Sequence, residues 1–280
     1  MNKTFKLCLL GLIAGCVLLS AGCNKLKARD QLNKGVRAYK SAQFNEAIEH
    51  FKNAIQLDPT LINAKLYLAT AYQTQYIPGA PSDDNMKMGQ SAIDEYKDVL
   101  SSNPNNANAI AGLASLYYNM GKLDLARQYY TKQNQLSPSD PIPYYSIGVI
   151  DWMNTYKPRM TLRAKLGISD ATAPLAPKKA KKDVMQACQD LRQSNEPKVE
   201  DGIQNLTKAL QLRPDYADAM QYLNLLYREK ADIECGDDAA RQADLKMADD
   251  WVSKALAARK AEEAKKASKA SQGGITMGSQ

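Results

Sequence analysis

Ala111-Gly112-Leu113-Ala114-Ser115-Leu116-Tyr117-Tyr118-Asn119-Met120-Gly121-Lys122-Leu123-Asp124-Leu125-Ala126-Arg127-Gln128-Tyr129-Tyr130 reads as two helical stretches broken at Gly121. Leu113, Ala114 and Tyr117 recur at helical spacing before the glycine, Ala126 and Tyr130 after it, and Pro138 closes the second stretch. The same closing phrase returns along the chain: Leu57-Asp58-Pro59, Ser102-Asn103-Pro104, Leu136-Ser137-Pro138 and Leu212-Arg213-Pro214. The four prolines stand 45, 34 and 76 residues apart. A fixed sequence of helix, turn, helix and proline, repeated with insertions, predicts helical hairpins that stack because none can bury its apolar stripe alone.

The recurring positions resemble the tetratricopeptide repeat (TPR), whose period is ~34 residues and whose pattern is a large residue, Leu-Gly, Tyr, then Ala, an aromatic and Pro. The first repeat shows Gly35, Tyr39, Phe44, Ala47, Phe51, Ala54 and Pro59, with Lys34 where the leucine is usual. The second shows Leu68, Ala69, Tyr72, Ala92, Tyr96 and Pro104. The fourth shows Tyr144, Ile147, Gly148, Trp152, Gly202, Leu206, Ala209 and Pro214, and a worn fifth shows Leu223, Tyr227, Ala248, Val252 and Ala255. The resemblance implies an all-α, right-handed solenoid of about five hairpins over residues 28–258, with repeats at 28–61, 62–106, 107–140, 141–216 and 217–258. Extra residues fall between helices A and B of repeats two, four and five, and in a solenoid such turns share one edge, away from the A-helix groove.

The N-terminus carries a second resemblance. Lys3 and Lys6 precede an apolar run from Leu7 to Leu19, then Ala21-Gly22-Cys23, the layout of an export signal ending in a bacterial lipoprotein's lipobox. A competing match, Ile13-Ala14-Gly15 before Cys16, leaves too short an apolar run after Lys6. The resemblance implies a signal peptide at 1–22, acylation of Cys23, and a short linker at 23–27. Two or more acyl chains anchor stably, at about 0.8 kcal/mol per buried methylene. Asn24 after the cysteine favours the outer membrane facing the periplasm under the enterobacterial rule, and a Gram-positive surface is the other option.

With the leader removed, Cys188 and Cys235 remain as a pair in an oxidising compartment. Under the repeat register they lie in the insertions of repeats four and five, so a disulfide is expected, with two free thiols as the alternative. Net charge is +7, and residues 157–198 hold ten basic against four acidic side chains. Within that insertion a short helix over Asp183–Leu191 is expected, reached through a mobile Thr172–Lys182 stretch. The basic run lacks interleaved aromatics and an exported chain meets no nucleic acid, so an anionic surface or a solvated loop is its expected meaning. The Ala/Lys-rich tail, 259–280, reads as disordered.

Catalysis finds no support. His50 is the single histidine and sits beside Glu46 and Glu49 on what reads as a solvated helix face. No metal-spaced cluster, phosphate loop or nucleophile motif occurs, and no cofactor is expected. TPR solenoids bind extended peptides or partner helices along the A-helix groove, and this register assigns to the groove Leu32, Val36, Tyr39, Lys40, Asn63, Leu66, Thr70, Gln73, Asn108, Ala111, Ser115, Tyr118, Asn119, Tyr145, Val149, Trp152, Met153, Gln221, Leu225 and Arg228. Asn and Gln pair with a peptide backbone, and Tyr or Trp grips side chains. The chain therefore reads as a membrane-anchored protein-interaction scaffold of the cell envelope, similar in plan to outer-membrane assembly lipoproteins and pilotins. A lipid- or glycan-binding periplasmic carrier is the rival class.

Overall fold

The computed structural model describes residues 23–170 and 172–273. The signal segment 1–22 and residues 274–280 of the tail lie outside the described residues. Ten helices are present among those described, and no strand: α1 (23–40), α2 (Phe44–Leu57), α3 (Ile62–Gln75), α4 (Asp83–Ser102), α5 (Ala107–Asn119), α6 (Leu123–Leu136), α7 (Pro141–Lys165), α8 (Lys182–Leu212), α9 (Ala217–Asp232) and α10 (Asp238–Gly273). None of the described helices is long and apolar enough to cross a membrane. The chain divides into two compact units between Tyr129 and Tyr130.

The four prolines build four copies of one turn. A residue before proline is pushed out of the helical region, so each B helix stops there. Its last amide still donates inside the helix: Asp58 to Ala54 at 2.9 Å, Asn103 to Val99 at 2.9 Å, Ser137 to Gln133 at 2.8 Å and Arg213 to Ala209 at 2.8 Å. The same four residues then accept from Leu61, Asn106, Asp140 and Tyr216 at 3.0–3.1 Å, which turns the chain into the next A helix. Asn106 and Asp140 cap two of those helices, accepting from Ala109 and Ile142, each at 3.0 Å.

In the first unit, Ala38, Ala47, Ile48, Phe51, Leu68 and Ala71 form one apolar cluster, with Leu32 and Val36 packed on it. Gly35 lets α1 approach α2 closely, since a Cβ there would stand 2.5 Å from the Phe51 ring. His50 is half-buried, its Nδ1 donating to Gln31 Oε1 at 2.7 Å, which ties α2 to α1.

The second unit spends its inserted residues on longer helices. α7 has 25 residues and α8 has 31, against 13 or 14 in α2, α3 and α5. The short helix expected over Asp183–Leu191 is the first part of α8, which runs on through Pro197. The stretch expected to be mobile is instead pinned: Leu175 and Ala176, 1% and 3% exposed, enter the core beside Cys188, Leu191, Val199 and Leu223. Burying one leucine contributes about 1.5–3 kcal/mol, enough to hold a short connection in place. The neighbouring lysines, Lys178, Lys179, Lys181 and Lys182, stay exposed. The tail expected to be disordered from 259 continues α10 to Gly273, consistent with the high helix propensity of Ala, Lys and Glu. Val149, assigned to the groove by register, is buried.

Candidate partner-binding groove

In the first unit, α3, α4 and α5 enclose an open cleft of about 430 Å³. Asn63, Leu66, Tyr67 and Thr70 line it from α3, Asn108, Ala111 and Gly112 from α5, and Tyr96 from α4. Tyr96 forms part of the lining because Gly112 has no side chain to exclude its ring. Its hydroxyl donates to Gln73 Oε1 at 2.8 Å and lies 3.3 Å from Thr70 Oγ1. Burial pushes the Tyr96 phenol above its usual pKa, with Thr70 pulling the other way, so the group stays a neutral donor.

Gln73 continues to Ser115 Oγ at 3.4 Å, and Tyr39 meets Thr74 Oγ1 at 2.8 Å. A polar seam thus crosses α1, α3 and α5. The carboxamides of Asn63 and Asn108 are exposed on the cleft wall and make no hydrogen bond among the described residues. They are the groups that can meet a peptide backbone. Lys40 and Asn119 are exposed and Tyr118 half-buried, and none of the three lines this cleft.

In the second unit the expected groove residues join an aromatic ladder. Tyr216 to Tyr145, Tyr145 to Tyr222, Tyr222 to Trp152 and Trp152 to Tyr156 have ring centroids 4.8, 5.7, 5.4 and 5.1 Å apart. The rings pack largely on one another, as aromatic quadrupoles prefer in tilted and edge contacts. Beyond Tyr156 stands Arg159, its guanidinium 5.4 Å from the ring centroid.

Arg159 opens a charge cluster that the register did not foresee. Its Nη1 donates to Asp232 Oδ2 at 2.7 Å, and Arg163 Nη1 reaches the same oxygen at 3.0 Å. Arg163 also holds the carbonyls of Ala173 and Asp170, which fastens the connection after α7. Arg159 Nε and Glu229 Oε2 lie 2.8 Å apart, close enough for an ion pair but out of line for a hydrogen bond. Burial raises the Glu229 carboxyl to about 7 against the pull of Arg159. Arg228, expected in the groove, pairs with Asp249 Oδ1 at 2.7 Å and Asn224 Oδ1 at 2.9 Å. Arg163 and Glu229 are 3% and 1% exposed, and their burial follows from tertiary partners that no local sequence pattern announces.

Cys188 near the start of α8 and Cys235 in the turn before α10 are joined by a disulfide, with Cα atoms 5.7 Å apart. Cys188 Sγ also lies 3.8 Å from the Asp232 carbonyl, so the bond sits directly behind the charge cluster. Cys23 is exposed and unpaired at the start of α1. Among the described residues no group of three or more His, Cys, Asp or Glu side chains could hold a metal ion.

A family model described as tetratricopeptide repeat matches residues 86–146. Protein bimA of Emericella nidulans is 30% identical over 98 residues, which are 35% of this chain, and the chain spans 11% of that protein's length. Among solved structures, MamA residues 41-end from Desulfovibrio magneticus RS-1 superposes with a TM-score of 0.54 at 16% identity, over 84% of this chain and 96% of that one. A MamA RS-1 double mutant gives 0.56 at 16% identity, over 85% and 97%. At such identities the likeness speaks to fold. With the repeated proline turns, the hairpins they join and the matched repeat model, the fold of this chain is an all-α solenoid of tetratricopeptide hairpins.

Proposed function

We propose that this protein is a lipid-anchored interaction scaffold of the bacterial cell envelope that binds a peptide or helix of a protein partner along its A-helix faces. The single observation that carries the reading is the cleft of the first unit, where exposed Asn63 and Asn108 carboxamides flank Tyr96 and Thr70 hydroxyls over an apolar base. Such a surface offers donors and acceptors to a peptide backbone, and Tyr67, stacked on Phe51 but 40% exposed, presents its outer face to a side chain. The lipobox at Ala21-Gly22-Cys23 supports anchoring, and Asn24 supports the outer membrane as its site.

A photo-crosslinking residue placed at Asn108 tests the groove, with the same residue at Glu49, on an exposed helix face outside the cleft, as the control. One partner band is expected at Asn108, absent at Glu49 and lost when Asn63→Arg fills the cleft. Equal labelling at both positions overturns the reading. Anchoring is tested separately by incorporation of a clickable fatty acid, expected in the wild-type chain and absent from Cys23→Ser.

A further inference from the structure

In the second unit a cavity of about 290 Å³ lies among α7, α9 and the start of α10. Trp152, Leu225 and Leu245 give it apolar walls. Four of the buried side-chain atoms that lack a hydrogen-bond partner belong to residues lining it: Glu229 Oε1 and Oε2, Arg159 Nε and Arg241 Nε. Two of these, Arg159 Nε and Glu229 Oε2, face each other as an ion pair, which leaves Glu229 Oε1 and Arg241 Nε as the true orphans. Buried polar groups are nearly always satisfied, and a concentration of exceptions around one cavity points to a missing polar occupant.

The charges specify that occupant. Arg159 and Arg163 of α7 are engaged by Asp232, and Arg228 by Asp249. On α8, Arg192 is held by Glu196 and Glu234, and on α10 Asp244 lies 3.6 Å from Lys230. Arg241 has no carboxylate within ion-pair distance among the described residues, and its one hydrogen bond goes to the Thr172 carbonyl at 2.5 Å. The cavity therefore carries an uncompensated guanidinium. Glu229 lines the same cavity, and burial raises its carboxyl to about 7 against the pull of Arg159. A guanidinium and a carboxylic acid together present donors, and donors in an apolar-walled pocket select an anion on a hydrocarbon stem.

We infer that this cavity binds a carboxylate carried on a short apolar or aromatic stem, held by Arg241 and Glu229. In the scaffold this group is an acidic side chain of the bound partner; that assignment rests on the scaffold reading, whereas the cavity's chemistry does not. Two carboxyl groups facing each other share one proton, so the bound state takes up a proton at Glu229. Above the acid's own pKa, affinity then falls about tenfold per pH unit.

Phenylacetate is the probe, titrated into the full-length, disulfide-intact protein at pH 6 and pH 8.5 while the Trp152 indole resonance is followed by NMR. Phenylacetamide and inorganic phosphate are run beside it. Saturable binding of phenylacetate at pH 6, weaker by about tenfold or more at pH 8.5, is expected. Arg241→Gln should weaken it by about tenfold, the scale of losing one charged hydrogen-bond donor. Glu229→Gln, which keeps a donor but cannot titrate, should bind equally at both pH values. Each variant's melting curve is recorded, so that loss of fold is separated from loss of binding. Phenylacetamide binding as tightly as phenylacetate, phosphate binding more tightly, or an unaffected Arg241→Gln protein overturns the inference, as does a folded wild-type chain that binds nothing. A silent cavity with the Asn108 crosslink intact sinks this inference alone; phenylacetate binding with no crosslinked partner sinks the scaffold reading alone.

Discussion

The Tyr96 ring occupies the place that a side chain at position 112 would need: a Cβ on Gly112 would stand 2.3 Å from Tyr96 Cζ. Gly112→Ala therefore sets helix propensity against overpacking. Alanine improves an internal helix position by about 1 kcal/mol, whereas forcing a packed ring aside costs about 1–3 kcal/mol. A net loss of roughly 1 kcal/mol is expected in urea denaturation. The displaced ring should also release Gln73 and weaken groove crosslinking. Tyr96→Leu in the same chain should recover the stability but not the crosslinking, because the hydroxyl is gone. A Gly112→Ala protein as stable as wild type, with its crosslink unchanged, would show that the ring is not fixed there.

Two equivalent turns differ by one residue. Gly121 has φ +69° and Ala42 φ +59°, and each closes its A helix with the same bond, Lys122 to Tyr117 and Gln43 to Ala38, both 2.9 Å. A left-handed conformation costs a non-glycine residue about 1–2 kcal/mol. Ala42→Gly relieves that strain while adding unfolded-state entropy, so a gain of about 0.5–1 kcal/mol is expected. Gly121→Ala should lose about 1–2 kcal/mol. Chemical denaturation of the two variants checks the pair, and opposite signs are the required result.

The prolines and helix-spaced small residues made the hairpins legible, because both act locally: proline stops a helix through its neighbour's backbone, and glycine or alanine admits the facing helix. The fate of residues 157–198 was not legible in that way. Pro158 and Pro197 lie inside α7 and α8, and the helices continue across them although proline removes an internal hydrogen bond. Asn195, 1% exposed on α8, donates to the Thr155 carbonyl of α7 at 3.1 Å, a tertiary contact that no local pattern announces. The charge cluster was hidden for the same reason. Arg159 meets Asp232 across 73 residues, and a charged side chain that reads as solvated surface is buried once its partner arrives. Tyr96 was legible as a packing residue but not as a wall of the cleft.

The disulfide closes a separation of 47 residues within the second unit. On the chain-entropy model such a loop stabilises by about 4 kcal/mol. Cys188 is fully buried and Cys235 only partly, so reductant acting on the folded protein should enter at the Cys235 sulfur. The urea midpoint of a fragment-specific probe at Trp251 should fall in Cys188→Ser and in the reduced wild type alike. In a chain that begins after the leader and carries Cys23→Ser, a thiol count of two on the unreduced, denatured protein would refute the bond.

Glu229 sets a pH dependence whose sign can be worked out. Burial raises its carboxyl from 4.5 to about 7, with Arg159 opposing and Asp232 adding to the rise. The folded state thus holds the proton more tightly than the unfolded chain does. Stability from this group is complete below about 4.5 and is lost as pH climbs through about 7. Every tenfold gain in proton affinity on folding is worth about 1.4 kcal/mol, so the wild type should be on the order of 2–3 kcal/mol more stable at pH 5 than at pH 8 from this residue alone. The carboxylates with lowered pKa, Asp30, Asp58, Asp170 and Glu262, titrate below this window and do not confound it. Asp244 and Glu95 are shifted upward by burial and add in the same direction, which is why the comparison must be made against Glu229→Gln. That variant should be flatter between pH 5 and 8 by most of the stated difference, and more stable than wild type at pH 8. Were wild type and variant to change in parallel, Glu229 would have to be ionised throughout the range, held so by Arg159, and the cavity would lose the acid that its donor chemistry depends on.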